Sequence, residues 1–306
     1  MTLTEIRRPS ASALIVIGVA ICALIWGTTW YAITWQLGTI NPIVSVVWRF
    51  GLASLVLFAG CLVTGRSVRL NRAQHLAALG KGAFVFSVSY AFVYQSEQRV
   101  ASAIVAVIFA ALAFLNLVLF RVVAGQKAAR ASWMGAGLGV VGVAVLSGSA
   151  IIAADMGRHA LIGVAMAVTA VSASALGNYF AWKGQTAGAP VMPQTAWAMG
   201  YGAALLAIFG VATGVHWSIE LTPGYLLSLA YLSLFGSVIA FVIYFTLARS
   251  QGYALASYIS ALTPPIAMLV SVVFEGAHFG WPAFVGLALV LSGQALMIRA
   301  PKLSAA

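Results

Sequence analysis

The stretch 101–130, ASAIVAVIFAALAFLNLVLFRVVAGQKAAR, decides the fold. Residues 101–120 carry no charge, and the ten that follow carry Arg121, Lys127 and Arg130. At a helical rise of 1.5 Å per residue, about twenty apolar residues match the hydrocarbon thickness of a bilayer. A basic loop directly after such a run belongs on the cytoplasmic side. Runs of the same kind recur along the chain and predict spans over 13–35, 42–64, 74–94, 100–120, 132–149, 160–182, 194–213, 223–247, 253–274 and 281–299. Short connections with breakers such as Asn41-Pro42, Ala189-Pro190, Thr222-Pro223 and Trp281-Pro282 separate them.

Placing the N-terminus inside sorts the charges. The inner side receives Arg7, Arg8, Arg66, Arg69, Arg72, Arg121, Lys127, Arg130, Lys183, Arg249, Arg299 and Lys302 against one acid, Glu5. The outer side receives Arg99 and Arg158 with Glu97, Asp155, Glu220 and Glu275. A missing span would scramble this pattern, so it tests the helix count as well as the orientation. The expected fold is therefore an all-α integral membrane protein with ten transmembrane helices and both termini cytoplasmic.

Composition agrees. The chain is 62% hydrophobic and 7% charged, with a mean hydropathy of +1.02, which excludes an ordinary soluble globule. Its net charge of +11 sits in short loops beside apolar runs, where it reads as topology signal and contact with anionic lipid rather than nucleic-acid binding. Cys22 and Cys61 lie inside apolar runs as small hydrophobes. No metal-ligand spacing, cofactor motif or nucleophile–base pair is evident, and no enzyme activity is expected. The first twelve residues are too short and polar for a cleavable signal, so the first run should remain as a helix.

The opening stretch also has a second copy. Residues 256–274, ASYISALTPPIAMLVSVVF, repeat its small-residue start, and the glycines of the fifth span (Gly135, Gly139, Gly142) align loosely with those of the tenth (Gly286, Gly293). Five spans per copy is an odd number, so the second copy is inverted in the membrane. The loops agree: the basic loop after the fourth span has Glu275 and His278 at its mate. The two glycine stripes permit close helix approach, either to each other or across a homodimer surface, and monomer or homodimer stays open.

The sequence resembles the drug/metabolite transporter superfamily, in its ten-helix EamA-type branch. The resemblance rests on Leu24-Ile25-Trp26-Gly27-Thr28-Thr29, Asn41-Pro42, Trp48-Arg49-Phe50, the small-residue starts of spans four and nine, Thr263-Pro264-Pro265 and Glu275. It implies two EamA-like five-helix repeats. The boundaries are 1–12 for a cytoplasmic tail, 13–149 for the first repeat and 150–159 for an extracytoplasmic connector. The second repeat covers 160–299 and a cytoplasmic tail 300–306. Within the superfamily the chain is similar to the aromatic amino-acid exporter branch, with Gly125-Gln126-Lys127 as a supporting match. It departs from a symmetric pattern, having Phe109-Ala110 where the second half has Pro264-Pro265. The resemblance implies a secondary exporter of small metabolites, aromatic amino acids foremost, in the bacterial cytoplasmic (inner) membrane. The alternative is a broad drug or organic-cation exporter of the same superfamily.

The candidate binding residues follow from depth and helical face. Pro264 and Pro265 are hinge candidates because neither donates to the carbonyl four residues back, freeing acceptors at Ser260 and Ala261 for a substrate ammonium or hydroxyl. A packing kink relieved by a neighbouring helix is the other reading. Ser87, Tyr90 and Tyr94 share one stripe of span three; Trp26 and Trp30, with Thr29 beside them, share one of span one. Ser174, Asn178 and Trp182 recur at four-residue steps in span six, and span eight offers Ser237, Phe241 and Tyr244. Tyr258 and Thr263 in span nine complete the set. Such rings wall a cavity for a planar apolar group, though Trp and Tyr near span ends also anchor helices at headgroup depth. Arg49 is an intramembrane charge, read as structural, with a stem long enough to snorkel towards Glu97 or water. Lys81 is expected to snorkel to the cytoplasmic interface. Asn116 and Gln294 read as interhelical hydrogen-bond glue. No acid falls deep in a span, so a neutral zwitterion moved by alternating access, with weak or absent proton coupling, is the expected mode.

Overall fold

The computed structural model describes residues 11–153, 157–251 and 253–299, with side chains except at 11–12, 147, 149–153, 253–258, 260–261 and 298. The tails 1–10 and 300–306 and residues 154–156 of the connector lie outside the described residues. The helical stretches are α1 (Ala11–Thr34), α2 (Pro42–Val63), α3 (Arg72–Glu97), α4 (Ser102–Ala124), α5 (Arg130–Ala153) and α6 (Gly157–Thr186). They continue as α7 (Val191–Ala212), α8 (Pro223–Gln251), α9 (Tyr253–Phe274) and α10 (Trp281–Arg299). Seven of these are long and apolar enough to cross a membrane; Arg130–Leu146, Leu262–Phe274 and Trp281–Met297 are shorter apolar helices. Large apolar side chains such as Leu55, Leu62, Val122 and Phe274 face outward, as a lipid-solvated surface requires.

Local signals set the helix ends. The Asn41 side chain accepts from Ile43 N–H at 3.0 Å, and Pro42 occupies the first turn, where its missing N–H is harmless. Asn41-Pro42 is therefore a helix start as well as a breaker. Asn71 and Gln74 form a reciprocal capping box at the start of α3, with bonds of 2.9 and 3.0 Å. Gly125 closes α4 in the left-handed conformation at φ 62°.

Two helices contain wide π-turns, Gly82–Ser89 in α3 and Leu232–Ile239 in α8. Each begins about one-third of the way along its helix and packs closely on a neighbour. A Cβ at Gly82 would strike the Ala198 carbonyl of α7, and one at Gly236 would sit 2.8 Å from Thr29 Cγ2 and 3.2 Å from the Arg49 guanidinium. Such bulges recur at functional sites.

The glycine stripes of α5 and α10 meet. The backbone of Gly135 lies against that of Gly293, and that of Gly142 against Gly286, so the small residues are used within the chain. At the proline pair the helix α9 is continuous. The interruption falls instead in α4, at Ala110–Ala111, where the first half has no proline. There Ala110 and Ala111 make tight bonds to Val107 and Ile108, and the Gln294 amide donates to the Ala110 carbonyl at 3.3 Å. Gln294 is thus interhelical glue, and its acceptor is the backbone group that the interruption exposes.

Candidate functional site

A cavity with roughly 740 Å³ of space between atoms, part of it open to solvent, lies where α1, α3, α4, α6, α8 and α9 converge. Of the residues selected from sequence, Trp26, Thr29, Trp30, Tyr90, Ser174, Asn178, Phe241, Tyr244 and Thr263 line it. Val85 and Phe109 join them. Val85 and Phe109 carried no polar or periodic signal; only the fold brings them to the wall. Ser87 is buried but off the lining, and Trp182 packs edge-on against Phe120, ring centroids 5.9 Å apart. The side chains of Tyr258 and Ser260 lie outside the described residues.

Most of the wall is fixed by its own contacts. Trp26 Nε1 donates to the Gly236 carbonyl at 3.2 Å, and its ring meets Phe241 at 5.1 Å and Tyr244 at 5.3 Å. The accepting carbonyl belongs to the π-turn of α8. Asn178 donates to Asn116 Oδ1 and to the Tyr244 hydroxyl, each at 3.3 Å, so Asn116 supports the cavity amide from behind. The Ser89 and Ser174 hydroxyls pair at 2.8 Å, and Thr263 donates to its own helix at Ile259. One donor is left over: the Trp30 indole N–H is buried with no partner, its ring held 5.1 Å from Phe109. A buried unpaired donor at a cavity wall favours an acceptor arriving with a ligand.

Two cations beside the cavity are buried, and neither reaches water. Arg49 is 1% exposed and does not snorkel. Its Nε donates to Ser237 Oγ at 3.0 Å and its Nη1 to the Tyr94 hydroxyl at 3.4 Å, while the guanidinium lies 4.6 Å over the Tyr90 ring. Tyr94 passes the chain on to Gln36 Oε1 at 2.8 Å, so it belongs to this cluster and not to the cavity lining. Lys81, also expected to snorkel, is fully buried: its Nζ donates to Thr195 Oγ1 at 3.0 Å and sits 3.5 Å from the centre of the Phe245 ring. A snorkelling lysine needs an open path along its helix, and Thr195 of α7 and Phe245 of α8 close it. Glu97, assigned by sequence to the outer surface, ends α3 at 8% exposure. The acid lies at the end of a span, not deep within one, but neighbouring helices shield it from water.

A polytopic helical protein with a ring-walled cavity between its helices has the architecture of a membrane transporter. The EamA-like transporter family model matches residues 13–148 and 161–299, and the chain belongs to that family. It is similar to the "Uncharacterized inner membrane transporter YedA" of Escherichia coli strains K12, O6:H1 and O157:H7. Identity to each is 26% over 276 residues, covering 90% of this chain and 87% of the relative. A solved protein crystal structure shares the fold, with a TM-score of 0.70 and 18% identity over 94% of this chain and 98% of that one. The protein is thus a multi-pass transporter of the bacterial inner membrane.

Proposed function

We propose that the chain exports aromatic amino acids by alternating access of two inverted five-helix repeats. In this reading there are ten crossings and both termini are cytoplasmic. The observation that carries the substrate is the cavity itself. Six rings (Trp26, Trp30, Tyr90, Phe109, Phe241 and Tyr244) surround one amide and one free indole N–H, and no acid is among the lining residues. Rings offset or edge-on favour a planar side chain, and the free N–H takes a carboxylate oxygen. An organic cation would favour an anionic wall, so the drug-exporter alternative is the weaker reading.

The repeat reading is supported by the two segments of the family match and by the similar placement of the π-turns in α3 and α8. The charge asymmetry of the loops supports the orientation.

The test is uptake of labelled tryptophan, phenylalanine, alanine and a dicationic dye into proteoliposomes. Tryptophan and phenylalanine should enter well above alanine and the dye. Tyr90→Ala should lower tryptophan uptake about tenfold, the equivalent of roughly 1.4 kcal/mol of lost ring contact. Equal passage of alanine or the dye would defeat the substrate claim; an unchanged Tyr90→Ala would defeat the cavity assignment. Asn178→Leu should also reduce uptake about tenfold, since it removes the amide and leaves the Tyr244 hydroxyl without its donor.

A further inference from the structure

The most anomalous polar group among the described residues is Glu97. It is more than nine-tenths buried, and neither carboxylate oxygen has a hydrogen-bond partner. It lies seven residues outward of the cavity-lining Tyr90 on the same helix, about 10 Å at helical rise, and three beyond Tyr94. A second carboxylate, Glu275 at the end of α9, interacts with it electrostatically. Glu275 is held by Ser271, which in turn pairs with Ser102 of α4 at 3.0 Å, and its Oε1 is also buried without a partner.

The surroundings decide what ligand these oxygens take. The helices packed on the outer end of α3 are α1, α2, α4 and α6. From α2, Arg49 acts on Glu97 through space, but its hydrogen bonds go to Ser237 and Tyr94. From the turn after α1 comes Gln36, whose Nε2 is buried and unpartnered. The outer end of α4 brings the Ser102 hydroxyl and no charge. Arg158 and His159 of α6 are exposed, and Arg99 donates to the Gln95 carbonyl at 2.5 Å. On α3 itself, Tyr90 and Tyr94 are occupied with Arg49. A sodium ion asks for about six oxygen ligands, whereas the groups here are three free carboxylate oxygens, the Ser102 hydroxyl already paired with Ser271, an amide donor and a guanidinium. A proton needs only one of those oxygens.

We propose that Glu97 is a proton-binding site that operates the outer side of the pathway. It carries a proton while that side is sealed and gives it up to the outside when that side opens and water reaches the carboxylate. The proton moves between the Glu97 carboxyl and outer water, and no other bond changes. This rests on the alternating-access reading above, but not on the identity of the substrate. The sealed form binds one proton more than the open form, so the open-to-sealed ratio rises up to about tenfold per unit of outer pH. Burial without a partner is what gives the proton its place, because an ionised carboxylate there would lack both water and hydrogen bonds.

The decisive experiment labels the full chain in liposomes with a hydrophobic carbodiimide, which reacts with protonated carboxyls, and locates adducts by peptide mass spectrometry. An adduct at Glu97 whose yield falls at least about fivefold between pH 6 and 9 is expected. Exchange of sodium for choline should leave it unchanged, and the loop residue Glu220, hydrogen-bonded to Thr39 and Thr222, should stay unlabelled. Absence of the adduct, a yield flat with pH, or protection by sodium overturns the proposal. In tryptophan counterflow with inner pH fixed, the wild-type rate should rise with outer pH, whereas Glu97→Gln should give a flat profile. A Glu97→Gln that keeps the wild-type profile overturns the proposal as well. Wild-type protein that carries no tryptophan defeats the substrate reading alone, and the labelling still decides the role of Glu97.

Discussion

Gly142→Leu is expected to leave little folded protein. A Cβ at Gly142 would meet the Gly286 carbonyl oxygen at 2.5 Å and the Val290 amide nitrogen at 2.8 Å, and neither is the movable end of a side chain. Relief requires α5 and α10 to separate along their whole contact. Helices in lipid hold together through close packing and dispersion, because the tails outside are as apolar as the side chains inside. Overpacking a soluble core costs about 1–3 kcal/mol, and a rigid backbone neighbour places this site at the upper end or beyond. The melting temperature in detergent should fall on the order of 10 °C, or the monodisperse peak should vanish in size-exclusion chromatography. Gly137→Leu is the control, since a Cβ there meets nothing within 4 Å. Equal losses from both substitutions would show that the α5–α10 contact is not what holds this part of the fold.

The same glycines show what sequence made legible. The stripe Gly135, Gly139 and Gly142 was visible as a repeat, and so was its match to α10. Which members touch was not: Gly139 accepts a Cβ into open space, whereas Gly135 and Gly142 do not. Period and spacing reveal a face; the rotation of one helix against another decides the contacts. The cavity divides in the same way. Trp26, Trp30 and Asn178 were readable because a polar or aromatic group deep in an apolar run is conspicuous. Val85 and Phe109 were not, since lipid-facing and cavity-facing hydrophobes look alike in a sequence. The proline pair directed attention to α9, yet the interruption lies in α4, where the Gln294 amide receives the exposed carbonyl. Position along a helix is legible in a sequence, but burial is not. Glu97 and Lys81 sit near span ends, where sequence assigns them to water, and only neighbouring helices exclude that water.

Burial alone does not fix the sign of a substitution, and the two buried cations are expected to respond oppositely to methionine. Arg49→Met removes a guanidinium with two directional hydrogen bonds and a ring beneath it, tying α2 to α3 and α8. Charged hydrogen bonds contribute about 1.5–3 kcal/mol each, and the ring contact about 0.5–2. The change also withdraws the positive charge that acts on Glu97. A net loss of about 3 kcal/mol is expected, as for breaking other buried charged clusters. Lys81→Met keeps a stem of similar length and removes an ammonium that has one hydroxyl, one close ring and, among the described residues, no acid acting on it. No partner is orphaned, because Thr195 Oγ1 already donates to the Val191 carbonyl at 2.7 Å. Burying a lone cation costs several kcal/mol, so its replacement should be neutral or stabilising by about 1–2 kcal/mol. Thermal unfolding of the two variants in one detergent is the measurement. Melting temperatures that move in the same direction would mean that partners do not decide the energetics of these charges. A fall for Arg49→Met beside a hold or rise for Lys81→Met would mark Arg49 as the cation that the packing depends on, and Lys81 as one that the fold tolerates at a cost.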